Sequence, residues 1–429
     1  MNSYLGIDFG TSGARAIVIE KEQKIVSEVF DNYNDLALKN WSYRWEKALF
    51  SLIEQIPTEI RRNLKAIAIN GTSSTVLLCD GKGKPIDNPI WYNDDRGAEI
   101  LETLKAIAPP NHVVLSPTSS LGKLLWWYRR PVYSQASYFL HQADWLASLL
   151  HGKLGISDYH NALKLGYDVE KLCYPDWIEK LPLRAILPQV LAPGTPVGEV
   201  KKEISDRYFL PRDCLVCTGT TDSIAAFLAS GVQKPGDAVT SLGSTLVLKL
   251  LSHKRVEDAK YGIYSHRLGD LWLTGGASNT GGAVLRKYFS DRELVNLSQQ
   301  IEANTESPLD YYPLLNKGER FPINDPQLSP RLEPIPNNSV QFLHGLLESM
   351  ARIEAKGYQL LQQLGATPLR QVYTAGGGAQ NSAWRIIRQR NLKVPVLKST
   401  QTAAAYGSAL LALRSLREPL RDARGEKTP

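Results

Sequence analysis

Cysteine is scarce in this chain: Cys79, Cys173, Cys214 and Cys217 are the only four in 429 residues. So few thiols exclude a disulfide-stapled scaffold and fit a reducing compartment. Cys214 and Cys217 have the spacing of a redox or metal pair, but no second pair or nearby histidine completes a site. Their apolar neighbours lead into Gly219, so the pair reads as buried strand. Long hydrophobic runs are missing too, and no window approaches the roughly eighteen apolar residues that span a bilayer. No basic region followed by an apolar stretch opens the chain, so no secretory signal is expected and a cytoplasmic protein is. Dense Lys/Arg runs and low-complexity tracts are likewise absent. The net charge of +7, from 50 basic and 43 acidic residues, is spread thinly. It reads as a solvated basic surface, compatible with small anionic substrates and not with tracking of nucleic acid.

What is present begins with Gly6-Ile7-Asp8-Phe9-Gly10-Thr11-Ser12-Gly13-Ala14-Arg15. Tyr4 to Ile7 reads as a strand and Ala16 to Glu20 as its return. The turn between them carries glycines, two hydroxyls and one carboxylate. Such a nest of backbone donors suits a phosphate, and Asp8 would repel that phosphate unless a cation such as Mg²⁺ lay between. Taken alone, a plain hairpin turn explains it equally well. Ile25 to Phe30 adds a third strand, and Trp45 to Ile56 has helical spacing stopped by Pro57. A buried strand from Lys65 to Asn70 delivers Gly71-Thr72-Ser73-Ser74, either a ligand loop or ordinary turn capping. Trp91-Tyr92-Asn93-Asp94-Asp95-Arg96 joins rings to acceptors suited to a sugar, and also fits a helix start capped by Asp94 or Asp95. Lys123 to Tyr128 reads as an aromatic core face, and Asp144 to Gly152 as a helix stopped by glycine. Ser157 to Asn161 reads as a polar loop before another helix. His141, His151 and His160 stand alone in sequence and receive no role.

A strand at Leu215–Cys217 ends in Thr218-Gly-Thr-Thr-Asp222, followed by the small-residue helix Ser223 to Ser230. Asp222 at that helix N-terminus is stabilised by the dipole, whether as a functional carboxylate or as an N-cap. Val232 to Gly236 reads as a linker. From Asp237 the pattern starts again: strand, Gly243-Ser244-Thr245, strand, with no acidic residue before the turn. Gln371 to Asn381 repeats the strand-to-glycine-loop step of Cys214 to Asp222, and Gly275 to Gly282 supplies a further glycine-rich turn. Leu309 to Pro336 reads as a surface excursion. Val340 to Leu364 and Thr402 to Leu416 read as helices, the latter with alanines and Gly407 for close packing. The length favours two or three domains, and duplicated phosphate-type turns are more specific than any single one.

In this order the motifs resemble the FGGY family of carbohydrate kinases. They are Gly6-x-Asp8-x-Gly10-Thr11 with Arg15, Trp91 with Asn93-Asp94-x-Arg96, and Lys123-Leu-x-Trp126. Asp144-Trp-Leu, Gly219-x-x-Asp222, Leu242-Gly-Ser-Thr245 and Gly376-Gly377-Gly378-x-x-Asn381 continue the match. The resemblance covers Tyr4 to Leu413. It implies an α/β, two-domain actin-like ATPase fold (ribonuclease H-like, as in hexokinase, Hsp70 and actin) with the active site in the interdomain cleft. Its domains would be 1–231, with the sugar site and catalytic base, and 232–417, with the nucleotide site, before a polar tail at 418–429.

The resemblance also implies ATP and Mg²⁺, and a small-molecule sugar as partner, with a monomer or homodimer as the assembly. Asp222 would be the general base. Asp8, Gly10, Thr11, Ser12, Gly13 and Arg15 would hold the β/γ-phosphates, with Asp8 and Asp222 on the metal side. Gly243, Ser244, Thr245, Gly281, Gly377, Gly378 and Asn381 would contact the nucleotide, and Ser73, Asp94, Asp222 and Ser223 would line the sugar pocket. Many xylulose and glycerol kinases of the family carry Gln and then a larger residue after the glycine at position 71. Thr72, Ser73 and Ser74 make that wall small and neutral here. With its short length, this resembles the cyanobacterial and plant-plastid D-ribulose kinase group, so D-ribulose is the expected acceptor. D-xylulose or a polyol is one alternative, and a non-kinase ATPase or sugar-binding protein on the same fold is another. No N-terminal extension that could hold a DNA-binding helix pair is expected.

Overall fold

The computed structural model describes residues 2–33 and 40–416. The polar tail expected at 418–429 lies outside the described residues. The chain divides into two compact units, one running to Ala229 and resuming at Ala403, the other spanning Ser230–Thr402.

The first unit is built on a six-stranded sheet of β1 (Ser3–Phe9), β2 (Gly13–Glu20), β3 (Ile25–Asn32), β4 (Leu64–Gly71), β5 (Pro196–Glu199) and β6 (Leu215–Thr221), in the order β3-β2-β1-β4-β6-β5. β1, β4 and β6 are parallel, and the outer neighbours run antiparallel. Position explains composition. β4 lies centrally and is buried along almost its whole length, so Leu64, Ala66, Ile67, Ala68 and Ile69 form a nearly continuous apolar run. β3 is an edge and alternates with exposed residues.

α1 (Trp41–Gln55) starts at Asn40, whose side chain accepts from the Tyr43 N–H. Its buried stripe of Trp45, Leu49, Leu52 and Ile53 packs with Leu5, Ile7 and Phe9 in one core. Each such fully buried side chain contributes roughly 1.5–3 kcal/mol. A second cluster around Leu121, Leu124, Trp127 and Phe139 holds α2 (Ser120–Tyr128), and α3 (Gln142–His151) ends at Gly152 in the left-handed conformation. The stretch expected as a loop at Ser157–Asn161 is instead the end of a short strand, Ile156–Asp158, and a helical turn capped by the Asp158 side chain.

The second unit repeats the plan with β7 (Asp237–Leu242), β8 (Leu246–Ser252), β9 (Tyr264–Leu268), β10 (Leu271–Ser278), β11 (Gln371–Ala375) and β12 (Val396–Lys398), in the order β9-β10-β8-β7-β11-β12. β7, β11 and β12 are parallel. Helix α4 (Asp222–Ala229) closes the strand sequence of the first unit. α5 (Gly282–Tyr288), α6 (Ser339–Gln363) and α7 (Ser382–Leu392) belong to the second.

The last helix, α8 (Ala404–Arg414), packs with the first unit although it lies in the stretch 232–417. The reason is backbone proximity. A Cβ on Gly6 of β1 would lie 2.0 Å from the Ala405 carbonyl oxygen, and one on Gly407 would lie 1.8 Å from that of Ala225. Gly275 and Gly276 lie inside β10, not in a turn; Phe321 covers Gly276, whose Cβ would fall 2.4 Å from its ring. The segment from Leu309 to Pro336 is irregular and largely at the surface, as expected, but Tyr311, Tyr312, Leu314 and Phe321 anchor its first half in the core. Its prolines stop regular pairing without preventing burial. Gly407→Ala should therefore cost the first unit on the order of 3 kcal/mol or fold poorly, because a backbone carbonyl cannot step aside. Urea unfolding midpoints beside Gly377→Ala, whose methyl would meet nothing within 4 Å, check this.

Candidate active site

Parallel pairing aligns the carboxyl ends of β1, β4 and β6. Asp8 stands opposite Asn70, Asn70 opposite Thr220, and Gly71 opposite Thr221. Asp222 follows as the first residue of α4, where the helix N-terminus favours its charge. Its carboxylate accepts from the Ser223 N–H at 2.7 Å. In open α/β sheets, ligands bind beyond such strand ends.

Five buried polar atoms there have no hydrogen-bond partner: Asp8 Oδ1, Asn70 Oδ1, Ser74 Oγ, Gln142 Nε2 and Thr221 Oγ1. Buried polar atoms are almost always satisfied, so this row is a set of donors and acceptors open to a ligand. Burial pushes the Asp8 carboxyl up to about 7, the nearby charge of Asp222 adds to the rise, and Arg15 opposes it. Two oxygen donors that repel each other suit a hard dication. Among the described residues no group of three or more His, Cys, Asp or Glu could hold a metal.

The other predicted residues of this unit fall around that row. Gly10 and Gly13 close the turn through a Gly10 N–H to Gly13 carbonyl bond of 3.0 Å, leaving Thr11 and Ser12 exposed at its tip. Arg15 faces Asp8 across the β1–β2 ladder, but its guanidinium already pairs with Glu28 at 3.3 Å and lies over the Phe30 ring. Ser73 is half-buried in the loop after β4, and Ser223 is exposed at the start of α4. Asp94 accepts two bonds from Arg96, at 2.8 and 2.7 Å, which hold its carboxyl below the usual range. Asp95 stands at the N-cap position of a 3₁₀ turn, Arg96–Ile100, that runs into the α-helix Leu101–Ile107, but its side chain makes no capping bond. His141 and His160 are buried in polar contacts, His141 with Asp144 and Ser120, His160 with Thr220 at 2.7 Å.

In the second unit, two turns are joined by backbone bonds. Gly282 N–H reaches the Gly243 carbonyl, Ala283 N–H that of Ser244, and Leu246 N–H that of Thr280. Gly281 has φ +147°, and a Cβ there would lie 2.7 Å from the Ser244 carbonyl oxygen. Gly377 and Gly378 form a 3₁₀ turn after β11. Asn381 caps α7, with Oδ1 accepting from Trp384 N–H and Nδ2 donating to Ser298. Its side chain is thus committed to the fold.

Sequence reasoning missed Glu319. It is 2% exposed and accepts from Ser278 Oγ, Asn279 N–H, Tyr312 OH and Arg320 N–H. It thereby anchors the turn that carries Gly281. Forty residues separate the partners, so no local pattern could reveal it.

A family model for the N-terminal domain of FGGY carbohydrate kinases matches residues 3–229, and the model for the C-terminal domain matches 238–416. The chain belongs to the FGGY family of carbohydrate kinases. It is 24% identical over 418 residues to a xylulose kinase of Lactococcus lactis, covering 89% of this chain and 81% of that protein. To a xylulose kinase of Escherichia coli it is 24% identical over 412 residues, covering 89% and 83%. Among solved structures, the xyloylose kinase of Brucella ovis superposes with TM-score 0.84 at 23% identity, covering 98% of this chain and 92% of that one. A Plasmodium falciparum glycerol kinase with ADP superposes with TM-score 0.81 at 18% identity, covering 98% and 91%. The two-domain α/β fold of the FGGY sugar kinases is therefore the fold of this chain. Among its described residues no helix is long and apolar enough to cross a membrane.

Two outcomes are expected from this site. Asp8 has a folded-state pKa of about 7 against 3.8 for the free group, so the unfolded chain ionises first and stability falls between about pH 4 and pH 7. Without divalent cation, Asp8→Asn should melt with wild type at pH 4 and above it at pH 8, by roughly 1–3 kcal/mol. Thermal melts across that range decide it. Glu319→Ala leaves four donors without an acceptor and should destabilise the second unit by about 2–4 kcal/mol, with Glu319→Gln costing less. Urea unfolding followed by proteolysis of that unit is the check.

Proposed function

We propose that this kinase transfers the γ-phosphoryl group of ATP to a hydroxyl of D-ribulose, giving D-ribulose 5-phosphate, with Asp222 as general base. The observation that carries the reading is the placement of Asp222 at the β6–α4 junction, beside a buried Asp8 whose charge it disfavours. The acceptor oxygen attacks the γ-phosphorus, its proton passes to the Asp222 carboxylate, and the bond from phosphorus to the β–γ bridging oxygen breaks, so that ADP leaves with the electron pair. Phosphoryl transfer asks mainly for positioning and charge neutralisation, with modest help from a base.

Asp8 and Asp222 are the residues that would hold Mg²⁺. When bound, the ion neutralises charge on the phosphate oxygens. The turn Gly10–Gly13 offers backbone donors and the Thr11 and Ser12 hydroxyls to phosphate, with Arg15 adding positive charge near Asp8. In the second unit, Gly243, Ser244, Thr245, Gly281, Gly377 and Gly378 are the proposed nucleotide contacts. For Asn381 the proposal narrows to its backbone, because its side chain caps α7. Ser73, Asp94 and Ser223 are the proposed sugar contacts, with Asp94 an ionised acceptor for sugar hydroxyls.

The small, neutral wall of Thr72, Ser73 and Ser74 supports D-ribulose. D-xylulose is the second reading, favoured by the xylulose kinases among the relatives. ADP release from Mg·ATP against pentuloses, pentoses and polyols tests both. Turnover strongest on D-ribulose, and lowered at least 10³-fold in Asp222→Ala, is the expected result. Turnover strongest on D-xylulose would replace the acceptor and keep the kinase. ATP hydrolysis that ignores both sugar and variant would remove the mechanism.

A further inference from the structure

Lys123 is completely buried on α2, with 0% of its surface exposed. The sequence gives it the look of a core helix position, yet among the described residues its ammonium makes no direct ion pair. It donates instead to two main-chain carbonyls, Ser74 at 2.8 Å and Trp91 at 2.7 Å. These belong to separate segments, the loop after β4 and the run leading to Asp94. Burial drives the lysine down to about 7, with Asp94 pulling it back up and Lys164 and Arg96 adding to the fall. A cation kept where burial disfavours it needs a reason, because a well-packed apolar side chain is often at least as stable.

The two segments supply one. Ser74 holds a left-handed backbone, φ +65°, uncommon for a residue with a side chain. It is 1% exposed, and its Oγ is one of the partnerless atoms. The same segments are tied a second time: Thr75 Oγ1 accepts from Tyr92 N–H at 3.0 Å and shares a hydrogen bond with Thr72 Oγ1. Thr72 N–H in turn donates to Gln142 Oε1. One helical turn past Lys123, the Trp126 ring lies 4.4 Å from the Arg96 guanidinium that grips Asp94. One face of α2 therefore fixes both segments.

We infer that Lys123 is a positioning residue of the acceptor site: its buried ammonium clamps Thr72–Thr75 against Trp91–Asp94 and thereby sets the spacing of Ser73 and Asp94 around the sugar. The inference rests on the kinase reading above and on those two residues as sugar contacts. Lys123 touches neither substrate. Methionine fills similar volume but leaves the buried Ser74 carbonyl without its donor and the Trp91 carbonyl with the Asp94 N–H alone, so the loop relaxes away from its left-handed conformation. Arginine keeps the charge but carries a planar fork where a compact head with three donors is needed.

Steady-state kinetics on the wild type and Lys123→Met, varying acceptor and ATP separately, test it. The acceptor KM should rise at least tenfold in Lys123→Met while the ATP KM stays within twofold. An unchanged acceptor KM, or equal rises in both constants, would overturn the inference. If Lys123→Met does not fold, Thr75→Val cuts the second tie between the same segments at near-constant shape. It should produce the same one-sided rise, and unchanged constants there would overturn the clamp. A wild type without acceptor-dependent ADP release would overturn the kinase reading itself. Wild-type turnover with unaffected variants would remove the role of Lys123 alone.

Discussion

Parallel pairing of β1 with β4, and of β4 with β6, is the constraint from which the rest of the first unit follows. It makes three strands stop at one level, and it makes Asp8, Asn70 and Thr220 neighbours although they are far apart in sequence. Strand interiors there are closed by apolar packing, so polar side chains collect where the strands end. That edge holds two carboxylates whose mutual repulsion and burial leave Asp8 short of stabilisation. Around it lie unsatisfied oxygens and nitrogens that the fold does not use.

Much of this was legible locally. The turn after β1, the glycine stop at Gly152 and Asp222 at a strand–helix junction are all short-range patterns, and the structure reproduces them. Hidden features depend on partners far away in sequence. Glu319 serves a turn forty residues earlier, and Lys123 reaches carbonyls 49 and 32 positions before it. Proline and polar residues from Leu309 to Pro336 concealed its buried anchors Tyr311, Tyr312, Leu314 and Phe321, because composition reports the cost of regular pairing and not where a chain packs. Small residues in the last helix signalled close approach, but nothing local says to what.

The second unit shows how the same plan can serve a different end. Its strand–turn–strand opening lacks a carboxylate at the position equivalent to Asp8, and its turn is stiffened by the neighbouring turn around Gly281. One of its buried charge pairs is internal and matched. Arg388 makes hydrogen bonds of 2.7 and 2.8 Å to Glu354, which also receives Thr240 Oγ1. This ties α6, α7 and β7 together.

Helix α8 gives that first half an unusual order of completion. The strand that carries Asp8 emerges early in synthesis, but the backbone that covers Gly6 belongs to residues around Ala405 and Ala409. Between them lies the whole of the second unit. During translation β1 therefore waits, with one face open, until all of the intervening 173 residues of Ser230–Thr402 have been made. A ribosome-bound chain stopped within that insertion would display an apolar sheet face, the kind of surface that chaperones bind.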